Sequence, residues 1–115
     1  MNIPNERLES HIQDILEAID ATESFIKGMS FNDFSQDQKT IFAVERSVGI
    51  VGMTAKRLPT DFIDRYPEIN WRNITGLGDK LTFGVFEVDL GVLWAATQQD
   101  LPKLKQFMTS LLSQE

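Results

Sequence analysis

Several residue types are scarce or missing in this 115-residue chain, and each absence excludes a class of site. There is no cysteine, which excludes disulfides, thiolate metal sites and a cysteine nucleophile. The only histidine, His11, has no acid or nucleophile paired with it locally, so we interpret it as a bystander at the edge of a helix. No stretch approaches the ~20 apolar residues of a membrane span, and no basic segment followed by an apolar run opens the chain. We expect a soluble cytoplasmic protein.

The charge balance is acidic, with a formal net charge of −6 and a pI near 4.7. Such a field opposes non-specific binding to nucleic acid, so we expect no DNA partner, and any RNA contact would need a local basic patch. The length and the 42% hydrophobic share suit one core and one domain, spanning residues 1–115.

Apolar residues recur at helical spacing along most of the sequence. They predict a first helix from a cap at Asn5 to about Lys27, closed by Gly28, and a second from a Ser35 capping box to Pro59. A short turn capped by Thr60 follows, then a helix capped by Asn70, and a last helix capped by Asp89 that keeps one phase through Pro102. A restart at Asp100, with Pro102 in the first turn, is the alternative for that last helix.

Two glycines, Gly49 and Gly52, lie inside the second predicted helix. Each costs up to ~1 kcal/mol relative to alanine in a helix interior. Two explanations stay open: another backbone approaches here, including one across a subunit boundary, or the helix tolerates both glycines.

The sequence therefore predicts an all-α protein. Residues 85–89 are the only candidate strand, and they are few. Short connections between long helices favour antiparallel neighbours, which predicts an up-and-down bundle of four to five helices.

The segment from Trp71 to Asp89 resembles the signature of the HepT-like family of HEPN-domain proteins. In that family a helix ends in a turn that carries an Arg, then a His five positions later, then a Tyr two beyond it. The frame is shared at eight positions: Trp71, Arg72, Gly76, Leu81, Gly84, Phe86, Val88 and Asp89. The Arg, His and Tyr positions are occupied by Gly78, Phe83 and Val85, and the Asn after the Arg is Asp79.

The second predicted helix resembles the family's other motif helix, through Arg46, Ile50, Gly52, Ala55, Lys56, Arg57 and Leu58. The family pattern has acidic residues where this chain has Gly49 and Met53. The resemblance therefore marks a set of degenerate active-site positions: Gly49, Met53, Gly78, Asp79, Phe83 and Val85.

The resemblance implies a homodimeric HEPN-like bundle whose two motifs form a composite cleft for metal-independent RNA cleavage. It also implies a toxin paired with a minimal nucleotidyltransferase antitoxin that adenylylates the motif Tyr. Phe83 cannot transfer a proton and Val85 offers no hydroxyl, so neither property carries over by residue. We expect a non-catalytic homologue that dimerises and binds that antitoxin, a nucleotide or RNA, with its cleft turned into a dry dimer seam. The alternatives are a ribonuclease toxin that uses other residues and a structural dimer with no ligand.

Two sets of charged residues are considered as binding sites, the acids for a metal ion and the cations for phosphate or a partner. The acids Asp79, Glu87 and Asp89 match no metal-loop spacing, and Asp89 is explained as a cap, so we expect no metal and no cofactor. Cations gather in the middle of the sequence, and the pattern is more typical of a solvated helix surface than of a phosphate-attracting face. They are nevertheless the candidate contacts to phosphate or to a partner: Arg46, Lys56, Arg57, Arg72 and Lys80.

Overall fold

The structure is a computed structural model that describes residues 6–84 and 88–113. Its long helices are α1 (Glu6–Ile26), α3 (Gln38–Ala55) and α5 (Trp71–Phe83), together with a C-terminal helix formed by α6 (Leu90–Ala95), a π-helical turn (Ala96–Asp100) and α7 (Leu101–Ser113). Two short helices, α2 (Phe31–Ser35) and α4 (Thr60–Arg65), connect them. The prediction of an all-α bundle is confirmed.

Helix α3 occupies the middle of the bundle, packed against α1 on one side and α5 on the other. Its buried stripe continues the spacing seen in the sequence and faces the core: Ile41, Val44, Val48, Val51 and Ala55. A hydrogen bond of 2.7 Å joins the hydroxyls of Thr22 and Ser47, both buried, between α1 and α3. Such groups are stable in a core only when paired, so this bond fixes the register of the two helices.

Helix ends follow local chemistry, and some differ from the predicted ends. Asn70 and Asp89 cap α5 and α6 as predicted, and Gly28 takes a φ of +79° just after α1. The prediction of Ser35 as the cap of α3 is wrong. Ser35 ends α2 and donates to the Asn32 carbonyl, and Asp37 caps α3 by accepting the Thr40 amide. That hydrogen bond from Thr40 lowers the pKa of the Asp37 carboxyl.

Two smaller differences concern other parts of the predicted pattern. The segment around Phe31, between the first two predicted helices, forms a helical turn with its own capping box, Ser30 and Asp33. Thr60 is the first residue of α4 and makes no cap, because Pro59 occupies the N-cap position. The predicted cap Asn5 and most of the candidate strand lie outside the described residues.

The C-terminal helix runs without a break through Pro102, as its apolar phase predicted. Proline has no N–H to donate and its ring crowds the carbonyl four residues earlier, so a regular α-helix would be strained here. The backbone widens instead, and the Leu101 amide donates to the Ala96 carbonyl, five residues back. The side-chain amide of Asn73 donates to the Asp100 carboxylate at 2.8 Å and links α5 to this π-helical turn.

Aromatic rings close the bundle where α4, α5 and α7 meet. Phe62, Tyr66, Trp71 and Phe107 pack with centroid distances of 4.7–6.4 Å, and the Trp71 indole N–H donates to the Tyr66 carbonyl. Among the described residues, none of the helices is both long enough and apolar enough to cross a membrane.

Candidate functional site

The backbones of α3 and α5 touch where Gly52 meets Gly78, and both residues are buried. A Cβ placed on Gly78 would lie 2.6 Å from the Gly52 Cα, and one placed on Gly52 would lie 2.5 Å from the Gly78 Cα. No side chain fits between helices at those distances. The position where the resemblance places an arginine is therefore filled by the backbone of the neighbouring helix.

This contact decides between the two explanations for the glycines of α3. Gly52 is required by close approach, and the approaching backbone belongs to the same chain. Gly49 is different, because its Cβ would lie 3.5 Å from the Thr82 hydroxyl and 3.6 Å from the Leu81 Cβ, which are ordinary contacts. A side chain at position 49 is therefore sterically possible, whereas one at position 78 is not.

A groove of about 590 Å³ runs along the outer side of α3, between α1 and the end of α5. We call it the α3 groove; it is lined by Asp14, Glu17, Ala18, Arg46, Gly49, Ile50, Met53, Thr54, Arg57 and Thr82. It brings together two of the degenerate positions, Gly49 and Met53, and two of the candidate cations, Arg46 and Arg57. Asp14 and Glu17 of α1 supply the acidic side chains of the groove. Sequence reasoning missed both, although their spacing on α1 places them on one helical face.

The remaining degenerate positions lie beside this groove or outside the described residues. Phe83 ends α5 with 70% of its surface exposed. Asp79 accepts from Lys56 at 2.9 Å, and both side chains are nearly half exposed. An ion pair at such a surface contributes little stability, so it satisfies Asp79 without marking it as reactive. Val85 lies outside the described residues.

A second groove, of about 390 Å³, lies on the outer face of α5 beside α6. We call it the α5–α6 groove; it is lined by Asn70, Arg72, Asn73, Gly76, Leu77, Lys80 and Val92. The candidate cations thus divide between two surfaces. Arg46 and Arg57 line the α3 groove, Arg72 and Lys80 line the α5–α6 groove, and Lys56 is paired with Asp79.

The fold and these positions define an all-α HEPN-like bundle. The family model described as "Ribonuclease HepT-like" matches residues 15–111, so the chain belongs to the ribonuclease HepT-like family.

Similar curated proteins come from other organisms. One named "Probable ribonuclease HepT", from Thermococcus cleftensis, is 42% identical over 84% of this chain and 88% of its own length. One named "Putative RNase MJ0127", from Methanocaldococcus jannaschii, is 33% identical over 87% of this chain and 83% of its own length. No solved structure matches the chain significantly.

Alanine at the helix crossing tests the packing role of Gly78. Gly78→Ala is expected to lower the free energy of unfolding by about 1–3 kcal/mol, because the added methyl group forces α3 and α5 apart. Gly76→Ala is the matched control in the same helix. A Cβ at Gly76 meets no atom within 4 Å, so alanine there should raise stability by up to ~1 kcal/mol. Urea unfolding measures both, and equal effects at the two positions would refute the crossing.

Proposed function

We propose that this protein is a non-catalytic member of the ribonuclease HepT-like family that acts by self-association and by binding a partner. The observation that supports this most is the contact between Gly52 and Gly78. Cleavage of RNA without a metal needs a cation for the charge that develops on the phosphate. At position 78 the neighbouring helix leaves no space for one.

The second loss concerns proton transfer. General acid–base catalysis contributes typically ~10²- to 10⁴-fold, and it needs a group that titrates near neutral pH. A phenyl ring at position 83 has no such group. Loss of the acid–base group and of the phosphate clamp together removes most of the rate enhancement that such a site supplies.

Self-association is supported by apolar surface beside the α3 groove. Phe42 lies one helical turn before Arg46 on the face of α3 that also carries Gly49 and Met53, and its side chain is 62% exposed. Phe83 is 70% exposed. Exposed aromatic side chains on one side of a domain are typical of interaction surfaces. We propose that Phe42, Ile50, Met53 and Phe83 form a dry seam in a homodimer.

Charge complementarity favours a second copy of the chain as the occupant of that surface. The α3 groove carries carboxylates on the α1 side, Asp14 and Glu17, and guanidinium groups on the α3 side, Arg46 and Arg57. A two-fold axis presents the same patch to itself in reversed orientation, so the acids of one protomer can face the arginines of the other. The same surface therefore suits a symmetric pair.

A ribonuclease that uses other residues is the second candidate function, and the composition of the α3 groove favours it over a structural dimer without activity. Asp14 or Glu17 could act as a general base, and Arg46 or Arg57 could hold a phosphate. The relatives named as ribonucleases agree with this alternative.

RNA cleavage separates the two candidates. The natural protein, Phe83→His, and the double variant Glu17→Gln with Arg57→Ala are each incubated with end-labelled single-stranded RNA in EDTA. We expect no cleavage by any of them; the histidine variant stays inactive because position 78 still lacks a cation. Cleavage by the natural protein that the double variant loses, at least 100-fold, would establish the ribonuclease alternative and overturn the proposal. The double variant, purified identically, also controls for contaminating nuclease.

Phe42 tests the dimer. Because its side chain is mostly exposed in the single chain, Phe42→Glu should fold normally and yet shift the protein from dimer to monomer, since a buried unpaired carboxylate is costly. Val92→Glu is the matched control, as Val92 is 52% exposed but lies in the α5–α6 groove. Sedimentation measures the mass. A natural protein that is monomeric at all concentrations, or a dimer indifferent to Phe42→Glu, would contradict this seam.

The proposed partner is a minimal nucleotidyltransferase of the antitoxin type, which follows from the resemblance. Co-expression with such an enzyme encoded beside the gene should yield a stoichiometric complex. Intact-mass spectrometry should find no adenylyl group, because Val85 has no hydroxyl to accept it. A complex in which this chain is adenylylated would show that another hydroxyl, with Tyr66 the first to test, has replaced the motif Tyr. Separate elution of the two proteins would refute the proposal that this enzyme is the partner.

A further inference from the structure

The α5–α6 groove is lined by positive charge, whereas the protein as a whole is negatively charged. The chain carries a net charge of −6, yet the described residues that line this groove include two cations, Arg72 and Lys80, and no acid. Neither cation has an ion-pair partner within residues 6–84 and 88–113. Two unneutralised cations in one concave surface of an acidic protein create a local field that attracts anions.

The two cations share one face of α5. Arg72, Gly76 and Lys80 are spaced four residues apart, so they lie in a row along the helix. Side chains on a helix lean towards its N-terminus, which directs Lys80 over Gly76 and Arg72 towards the start of α5. Eight residues correspond to about 12 Å along the axis. This row therefore offers two separated positive points with an open strip between them.

Gly76 keeps that strip open. No atom lies within 4 Å of a Cβ placed on it, so its lack of a side chain is not required by packing inside the described chain. The polar side chains of Asn70 and Asn73 stand at one end of the groove and Val92, half exposed, lies on the α6 side. Polar and apolar surface beside a pair of cations suits a ligand with both phosphates and less polar groups.

We propose that the α5–α6 groove binds a chain of phosphates, with Lys80 and Arg72 each contacting a different phosphate. The two residues start about 12 Å apart along the helix axis, and their long side chains can each reach a different phosphate of one ligand, so a chain of phosphates suits the groove better than a single ion. A single-stranded RNA backbone and the triphosphate of a nucleotide share this chemistry. The site is distinct from the α3 groove and requires neither cleavage nor a dimer.

Fluorescence anisotropy with labelled oligouridylate and, in a separate titration, with a fluorescently labelled ATP analogue tests the site in the full-length protein. The variant is Arg72→Glu with Lys80→Glu, and the control is Lys39→Glu with Lys103→Glu. The control pair is exposed, lies on α3 and α7, and changes the net charge equally. Melting curves confirm that both variants are folded.

We expect oligouridylate binding that weakens with salt, and a groove variant that loses at least tenfold in affinity while the control stays within threefold. The slope of log K against log salt should become shallower by about 0.7 for each phosphate contact removed. ATP binding that falls with the same variant, with no oligouridylate binding, keeps the site and assigns it to nucleotides. Equal losses in the two variants, or no binding of either ligand, would overturn the proposal. The groove variant leaves every residue that lines the α3 groove unchanged, so failure here leaves the α3-groove proposals untouched.

Discussion

The contact between the backbones of α3 and α5 at Gly52 and Gly78 is the constraint on which the rest of this site depends. Helices that meet without intervening side chains can lie closer together than the usual interaxial distance of about 8–10 Å. A single methyl group on either glycine would overlap the other helix and prevent this approach. The position of α5 then determines where Phe83 and the outer row of Arg72, Gly76 and Lys80 stand. The α3 groove lies along α3 beside this crossing, and the α5–α6 groove lies on the outer face of α5.

Charge on the molecule is organised locally, although its net value is negative. Pairs such as Lys56 with Asp79, and Lys105 with Asp20 and Glu23, neutralise cations at the surface. The hydrogen bonds from Lys105 to Glu23 and Asp20 raise the pKa of its ammonium group. Arg72 and Lys80 form no such ion pair with the described residues. Net charge therefore predicts weak general affinity for polyanions and says little about one groove.

Much of the fold could be predicted from the sequence, because periodicity and caps are local. The apolar stripes, the caps at Asn70 and Asp89, the turn at Gly28 and the passage through Pro102 all depend on neighbours within a few residues. Errors arose where two local solutions compete. Ser35 and Asp37 can both cap α3, and the choice depends on whether the preceding residues form α2.

The site was less predictable, because it is made of contacts between helices distant in sequence. Spacing marked Gly52 as unusual but could not identify the approaching backbone, since Gly78 follows 26 residues later. Asp14 and Glu17 read as ordinary surface acids of α1 until the fold placed them beside Arg46 and Arg57. The five candidate cations looked like one group in the sequence, and the fold places two of them in each groove and pairs Lys56 with Asp79.

The positions that the resemblance marks as degenerate differ in how much space each leaves for a larger side chain. Position 83 is exposed, and a Cβ at position 49 would make only ordinary contacts with Thr82 and Leu81. Met53 is half-buried at the groove. Among those of these positions that the structure describes, position 78 is the closed one, because a side chain there requires α5 to move away from α3. An arginine at 78 would thus have to be accompanied by a change in helix packing, whereas a histidine at 83 would not. Glycine at position 78 is therefore required by the packing of α3 against α5.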